Sequence, residues 1–249
     1  MGLINQDIFV CLDCETTGLE IDKDRIIEIA IARFNFDQIL DSFETLIDPQ
    51  IVIPEVSIAI HHINDEMVKG KPIIHEVFPK IFEFIGKSII VGHGITNDIA
   101  FLCAAAKQYH IPCKLASHPY LDTLRMARLY GESPINSLEK LRQHFNIAEE
   151  GAHRAMNDVI VNIEVFKYLA RRYKTTEQIV NRLKSPIQLK TMPLGKHKGR
   201  FFSEIPVSYL RWAVNQNFDQ DLLFSLKTEL KKRNKGNHFG QAANPFTHL

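Results

Sequence analysis

The feature that most constrains this chain is a change of hydrophobic period near residue 50. Upstream of it, Asp7–Leu12 is an apolar run and Arg25–Phe36 is rich in β-branched residues. Ile39–Ile47 follows a turn at Asp37-Gln38 and stops before Asp48-Pro49. Strand-like runs joined by short connections predict an antiparallel meander. Downstream, residues 54–61, 72–85, 98–109, 122–130, 136–145 and 155–173 repeat their apolar positions at helical spacing. Pro72 falls in a first turn, and Asp122 and Asn136 stand where helix caps belong. Ser88–Val91 returns among the helices as a short buried strand ending in Gly92-His93-Gly94. The pattern predicts an α/β chain, a mixed sheet with helices packed around it.

The pattern shifts again near residue 175. Residues 175–183 read as one short helix, and Ser185-Pro186 breaks it. Thr191–Leu194 is strand-like and leads into a tight turn, Gly195-Lys196-His197-Lys198-Gly199-Arg200. Pro206 opens a helix carrying Tyr209, Leu210 and Trp212, and residues 222–232 form the last helix. The expected domains are 1–175, a linker with a short helix at 176–189, a small α+β domain at 190–235, and a polar, disordered tail at 236–249.

Composition bounds the function. With 30 Lys+Arg against 29 Asp+Glu the formal net charge is +1, which excludes a uniformly basic nucleic-acid coater. The balance is uneven, however. Residues 190–235 hold ten basic and four acidic residues, leaving twenty basic and twenty-five acidic elsewhere. No apolar run reaches the roughly 18 residues that cross a bilayer, so no membrane partner is expected. Four cysteines in 249 residues are too few for a disulfide scaffold, so the expected compartment is the cytoplasm. Cys11 and Cys14 spell C-x-x-C, but three residues apart on a strand they face opposite ways, against a zinc or redox pair.

The chemistry sits in carboxylates. Asp13 and Glu15 lie two apart at the end of an apolar strand, in Leu12-Asp13-Cys14-Glu15-Thr16-Thr17-Gly18, so both point to one face. Two carboxylates about 4 Å apart repel by about 4 kcal/mol at an effective dielectric of 20. A cation between them relieves this, and hard oxygen ligands suit Mg²⁺ or Mn²⁺. Without one they are solvated acids at a strand end. Asp98 follows the buried strand and opens a helix. Asp158 opens the longest helix of this domain, five residues after His153. Taken singly, each Asp reads as a helix cap and His153 as a solvated loop residue.

Together these segments resemble the DEDDh group of DnaQ-like 3′–5′ exonucleases. Asp13, Glu15, Asp98, His153 and Asp158 match the family's D-x-E-T-T-G, its Asp after the H-N-type strand end, and its H-x-x-x-x-D. Gly94 and Asn97 stand where many members have Asn and Phe. The polar residue before the Asp also occurs in RNA-directed branches. Thr176-Glu177-Gln178, Leu194–Gly199 and Tyr209-Leu210-Arg211-Trp212 are similar to the small C-terminal domain of exodeoxyribonuclease X-type proteins.

The resemblance implies a ribonuclease H-like, five-stranded mixed sheet. It implies hydrolysis of 3′-terminal phosphodiesters of DNA, single-stranded or at duplex 3′ ends, to nucleoside 5′-monophosphates with two Mg²⁺ (or Mn²⁺) ions, in repair or replication. Asp13 would bridge both ions. Glu15 and Asp158 would complete one site and Asp98 would support the other, with His153 as general base. Thr16, Thr17 and His61 would contact the terminal nucleotide, leaving His62 and His93 as bystanders. The alternatives are a proofreading subunit that works with a DNA polymerase and an RNA 3′-end trimmer.

Outside the acids, Lys196, Lys198 and Arg200 alternate with residues of a glycine-bounded turn and are candidate phosphate contacts. Tyr209 and Trp212 read as core of the small domain rather than as base-stacking residues. Gln241-Ala242-Ala243-Asn244-Pro245-Phe246 vaguely resembles peptides that dock on bacterial sliding clamps.

Overall fold

The structure, a computed structural model, describes residues 3–133, 135–148 and 154–241, the last seven by backbone alone. It divides into two compact units, Met1–Arg182 and Leu183–Leu249.

The first unit opens with β1 (Phe9–Thr16), β2 (Ile26–Phe34) and β3 (Ile39–Leu46), the expected meander. Two short helices follow, α1 (Glu55–His61) and α2 (Asp65–Val68), then α3 (Ile74–Ile85) and β4 (Ile89–Gly92). Next come α4 (Thr96–Gln108), β5 (Tyr120–Asp122), α5 (Thr123–Tyr130), α6 (Leu138–His144), α7 (Ala155–Ala170) and α8 (Thr176–Leu183). The strands form one mixed sheet in the order β3-β2-β1-β4-β5. β1 and β2, and β2 and β3, are antiparallel; β4 lies parallel to both β1 and β5.

The alternation of β1 divides the helices between the two faces of the sheet. Val10, Leu12 and Cys14 join a core built with Phe78, Ile81 and Ile85 of α3 and with Phe101 and Leu102 of α4. Phe9 and Cys11 face α7 instead. The Phe9 ring lies 4.9 Å from that of Phe166, and the Cys11 thiol donates to the carbonyl of Val159 across 3.7 Å. Asp13 and Glu15 are the next two positions on this second face. α7 runs antiparallel to β1, so its first turn arrives beside them.

Several boundaries differ from the sequence reading. β1 continues through both acids to Thr16, because β2 pairs it to the end. β5 is three residues long, too short for a period, and it pairs through Ile90↔Tyr120. Asp122 caps α5 as expected, accepting from the Leu124 N–H at 2.9 Å. Asn136 does not cap: α6 starts after Ser137, and the Asn136 side-chain oxygen is buried without a partner among the described residues. Pro72 lies outside α3, where the Glu76 carboxylate accepts from the Ile73 N–H instead.

The second unit holds α9 (Val207–Ala213) and α10 (Gln220–Gln241) around Met192, Phe202, Ile205, Leu210, Ala213, Leu222 and Leu226. The β part of the expected α+β domain reduces to one antiparallel bridge, Thr191↔Phe201. The Gly195–Arg200 turn lies between its ends. The backbone of α10 runs past Lys232 and takes in the first residues of the composition-based tail. Trp212 is 52% exposed and so is not core, whereas Tyr209 packs partly against it.

Candidate active site

Three elements bring the acids together. Asp13 and Glu15 come from the end of β1 and Asp158 from the first turn of α7. A carboxylate oxygen from each lies within 4.8 Å of the others. Asp98 arrives from the opposite face of the sheet, on the first turn of α4. β4 pairs with β1 only as far as Cys11, and the Cys14 N–H donates to the Asp98 carboxylate at 3.1 Å. Neither Asp98 nor Asp158 is the cap that a single-residue reading makes of it. The residue before α4 is Ile95, and the N-terminus of α7 is capped by another group.

The electrostatics describe a site built for a cation. Burial raises the Asp13 carboxyl well above its ordinary range, and Asp98, Asp158 and Glu15 push it further, in that order. Asp98 and Asp158 are thus both close enough to Asp13 to act on its charge. Glu15 is pushed up to about 7 by burial, then by Asp158 and Glu28, with Arg154 opposing. Asp98 is also pushed up to about 7, by burial first. Hard carboxylate oxygens crowded until they resist ionising fit a divalent cation. Cys11 does not extend the set. Burial raises its thiol, and Cys14 lies on the other face of β1.

Sequence reasoning missed the group that fixes α7. Glu28 is 1% exposed and directly opposite Glu15 in the β1–β2 register. Its carboxylate accepts from Arg154 Nε at 3.0 Å and from the Ala155 N–H at 3.1 Å. One buried acid thus caps the helix that carries Asp158 and pairs with the residue before it. The signal was present as an acid within the apolar run Ile26-Ile27-Glu28-Ile29, where a solvated side chain has no place. A second omission is an apolar rim. Ser57 of α1 donates to the Thr17 carbonyl at 2.6 Å, bringing α1 beside the loop after β1. Leu19, Val56 and Ile60 are exposed there.

The expected substrate residues divide. The Thr17 hydroxyl donates to Asp24 and accepts from the Arg25 N–H, both at 3.0 Å, while its own N–H and carbonyl bond Arg25 and Ser57. Thr17 builds the loop. A Cβ at Gly18 would collide with the Asp24 carboxylate, which accounts for the glycine that follows. The Thr16 hydroxyl donates to the Gly18 carbonyl at 2.7 Å. His61 is buried, and its Nδ1 accepts from the Ile63 N–H at 3.0 Å. Its Nε2 therefore carries the proton, and it has no partner among the described residues. His93 contacts Thr123 within a buried group that includes Asn162, a structural role. Gly94 has φ +70°, a left-handed backbone open to Gly and Asn alike, so its exchange for the family's Asn keeps the local geometry. His153 and residues 242–246 of the clamp-like peptide lie outside the described residues.

Residues 10–166 match the exonuclease family described as RNase T. The chain belongs to the RNase T exonuclease family. The DNA polymerase III subunit epsilon of Aquifex aeolicus is 35% identical over 159 residues, covering 64% of this chain and 78% of that protein. A PolC-type DNA polymerase III of Clostridium perfringens is 33% identical over 195 residues, 76% of this chain but 13% of the polymerase's length. Among solved structures, Exonuclease X in complex with 5′ overhanging duplex DNA superposes with a TM-score of 0.57 at 23% identity. It covers 70% of this chain and 98% of that one. At that identity the likeness concerns the fold, and it agrees with the mixed ribonuclease H-like sheet. Residues 181–231 match a separate family, described as "Putative quorum-sensing-regulated virulence factor".

Proposed function

We propose that the chain is a 3′–5′ exonuclease that hydrolyses the terminal phosphodiester of DNA and releases nucleoside 5′-monophosphates. The observation that carries this is the convergence of Asp13, Glu15 and Asp158 at one end of β1, with Asp98 bonded to the Cys14 N–H of the same strand. Bound there, divalent ions supply charge neutralisation at the phosphate and a water acidic enough to be a nucleophile at neutral pH. Asp13, Glu15 and Asp158, whose carboxylate oxygens converge, would hold such ions, with Asp98 as the fourth carboxylate of the set.

The remaining steps belong to side chains. His153, by the resemblance, takes the proton of the attacking water. The water oxygen bonds to phosphorus, the bond to the 3′-oxygen of the penultimate nucleotide breaks, and that oxygen is protonated from solvent. The Nε2–H of His61, buried and without a partner among the described residues, is a donor for the terminal nucleotide. Leu19, Val56 and Ile60 offer an apolar surface to its base. In the second unit, Lys196, Lys198 and Arg200 contact backbone phosphates.

A second reading, a proofreading subunit working with a DNA polymerase, is favoured by the similarity to an epsilon subunit over 78% of that protein's length. One substrate panel in Mg²⁺ tests the main reading: single-stranded DNA, duplex DNA, mismatched 3′ ends and RNA of the same sequence, each labelled at either end. Mononucleotides released from the 3′ end of DNA are expected. Shortening from the 5′ end overturns the reading, and faster loss of RNA reassigns the substrate.

A further inference from the structure

The second unit carries a surface that the exonuclease chemistry does not use. α9 turns Leu210 and Ala213 into the core and leaves Tyr209 and Trp212, one turn apart, on another face. Their ring centroids are 5.1 Å apart. On the far side of Tyr209 the His197 ring stands edge-on at 4.5 Å, and Lys196 Nζ lies 5.1 Å from the Tyr209 centroid. Gly195, at φ +71°, comes so close that a Cβ there would lie 3.0 Å from the Tyr209 hydroxyl oxygen. The result is an open groove of about 540 Å³ lined by Gly195, Lys196, Ser208, Tyr209 and Trp212. That is within the roughly 300–1,000 Å³ of small-ligand sites.

Three features identify the occupant. A large aromatic held half out of the core, at 52% exposure, gains by stacking on a flat apolar ring. Lys196 lies over the Tyr209 ring, Lys198 and Arg200 follow it on the same exposed turn, and residues 190–235 carry an excess of six positive charges. Both ring nitrogens of His197 are buried at the edge of the aromatic group, without a hydrogen-bond partner among the described residues. Stacking faces interleaved with cations are what an unpaired polynucleotide requires: the bases stack, and the phosphates meet the charge. A polynucleotide supplies both, a flat face and an anion, in every residue.

We propose that Trp212 and Tyr209, with Lys196, form a base-stacking site for single-stranded DNA, separate from the catalytic acids. This rests on the reading of the chain as a DNA exonuclease and adds a second place where the strand is held. The strand is bound by its faces and its charge, so the site is indifferent to sequence.

Trp212 is the only tryptophan in the chain, so its fluorescence reports on this site alone. The full-length protein in EDTA, which blocks turnover, is titrated with oligothymidylate. Saturable quenching is expected. An abasic oligonucleotide of equal length and charge leaves the emission unchanged. In anisotropy with end-labelled oligothymidylate, Trp212→Ala weakens binding about tenfold or more, as loss of one stacked base does. Trp212→Phe stays within about threefold of the parent. Circular dichroism of both variants checks the fold, which an exposed ring does not hold. Equal quenching by the abasic strand, or unaltered binding by Trp212→Ala, overturns the proposal, and tighter binding of the matching RNA overturns its assignment to DNA. Absence of quenching in a protein that still degrades the same strand in Mg²⁺ overturns this site and leaves the exonuclease reading standing.

Discussion

In the first unit the proposed catalytic charges are half-buried in a cleft of the fold. Asp13, Glu15, Asp98 and Asp158 come from three elements and are half-buried, and burial with mutual repulsion raises the pKa of Asp13, Glu15 and Asp98. In the second unit Lys196, Lys198 and Arg200 sit on one exposed turn and follow each other in sequence. The first arrangement is costly without a counter-charge and depends on the packing of a whole sheet. The second costs little and depends on one turn. Substitutions in the two regions should therefore differ in kind: loss of a buried acid removes chemistry, whereas loss of an exposed base only weakens attraction.

The largest effect is expected at Asp158. Asp158→Ala deprives the site of a ligand from α7, and several kcal/mol of charge stabilisation corresponds to on the order of a thousandfold in rate. Release of mononucleotides from a 3′-labelled strand measures it. Near-parental turnover from a clean preparation would remove the site from the mechanism.

Glu28 comes next, and it sharpens the comparison because it is a buried acid outside the metal-ligand set. Glu28→Ala strips the Ala155 N–H and Arg154 of their acceptor. The unpaired N–H costs about 1–3 kcal/mol; Arg154, with its side chain 41% exposed, recovers much of its loss from water. The start of α7 loosens, and Mn²⁺ affinity falls with kcat. Glu28→Gln keeps an acceptor and removes a charge that repels Asp13 and Glu15, so it should restore stability more than activity. Thermal melts and Mn²⁺ titration of the two variants separate these effects; identical behaviour would mean that Glu28 acts by charge alone.

How far the sequence revealed this site follows from the range of the forces. Asp13 and Glu15 were legible because strand alternation is local, and the resemblance joined Asp98 and Asp158 to them. Glu28 was not legible as a cap, since its partners lie 126 and 127 residues away. β5 was hidden because three residues carry no period. The resemblance points Thr17 toward substrate, yet its hydroxyl is consumed by Asp24 and Arg25, a choice that only loop geometry makes. Residue type points Trp212 toward the core, whereas the turn of α9 leaves it 52% exposed. Sequence pattern thus conveyed which residues share a face and could not convey which polar groups already have partners.

A smaller effect concerns the metal-free protein. Glu15 and Asp98, ordinarily near 4 when unfolded, titrate at about 7 in the fold. The folded state then binds more protons, so stability is highest at low pH and declines as pH rises from about 4 to 7. Mn²⁺ replaces those protons. Its stabilisation should be larger at pH 8 than at pH 5, at about 2–4 °C in Tm per kcal/mol for a chain of this size. A metal-independent melt at pH 8 would contradict the crowding of the acids.

The smallest effect is expected in the exposed turn, and it is a change of slope more than of affinity. Each phosphate contact on a single strand contributes about 0.7 to the dependence of log K on log salt. Replacing Lys196, Lys198 and Arg200 together by alanine should flatten that slope by about two if all three touch phosphates. At low salt, affinity falls; at high salt, where ions already screen the turn, parent and variant converge. An unchanged slope would mean that the turn carries charge without meeting the strand, and the contrast between the two units would then lie in composition alone. A flattened slope in a strand that still quenches Trp212 would separate the two attractions, because stacking persists in salt and counterion release does not.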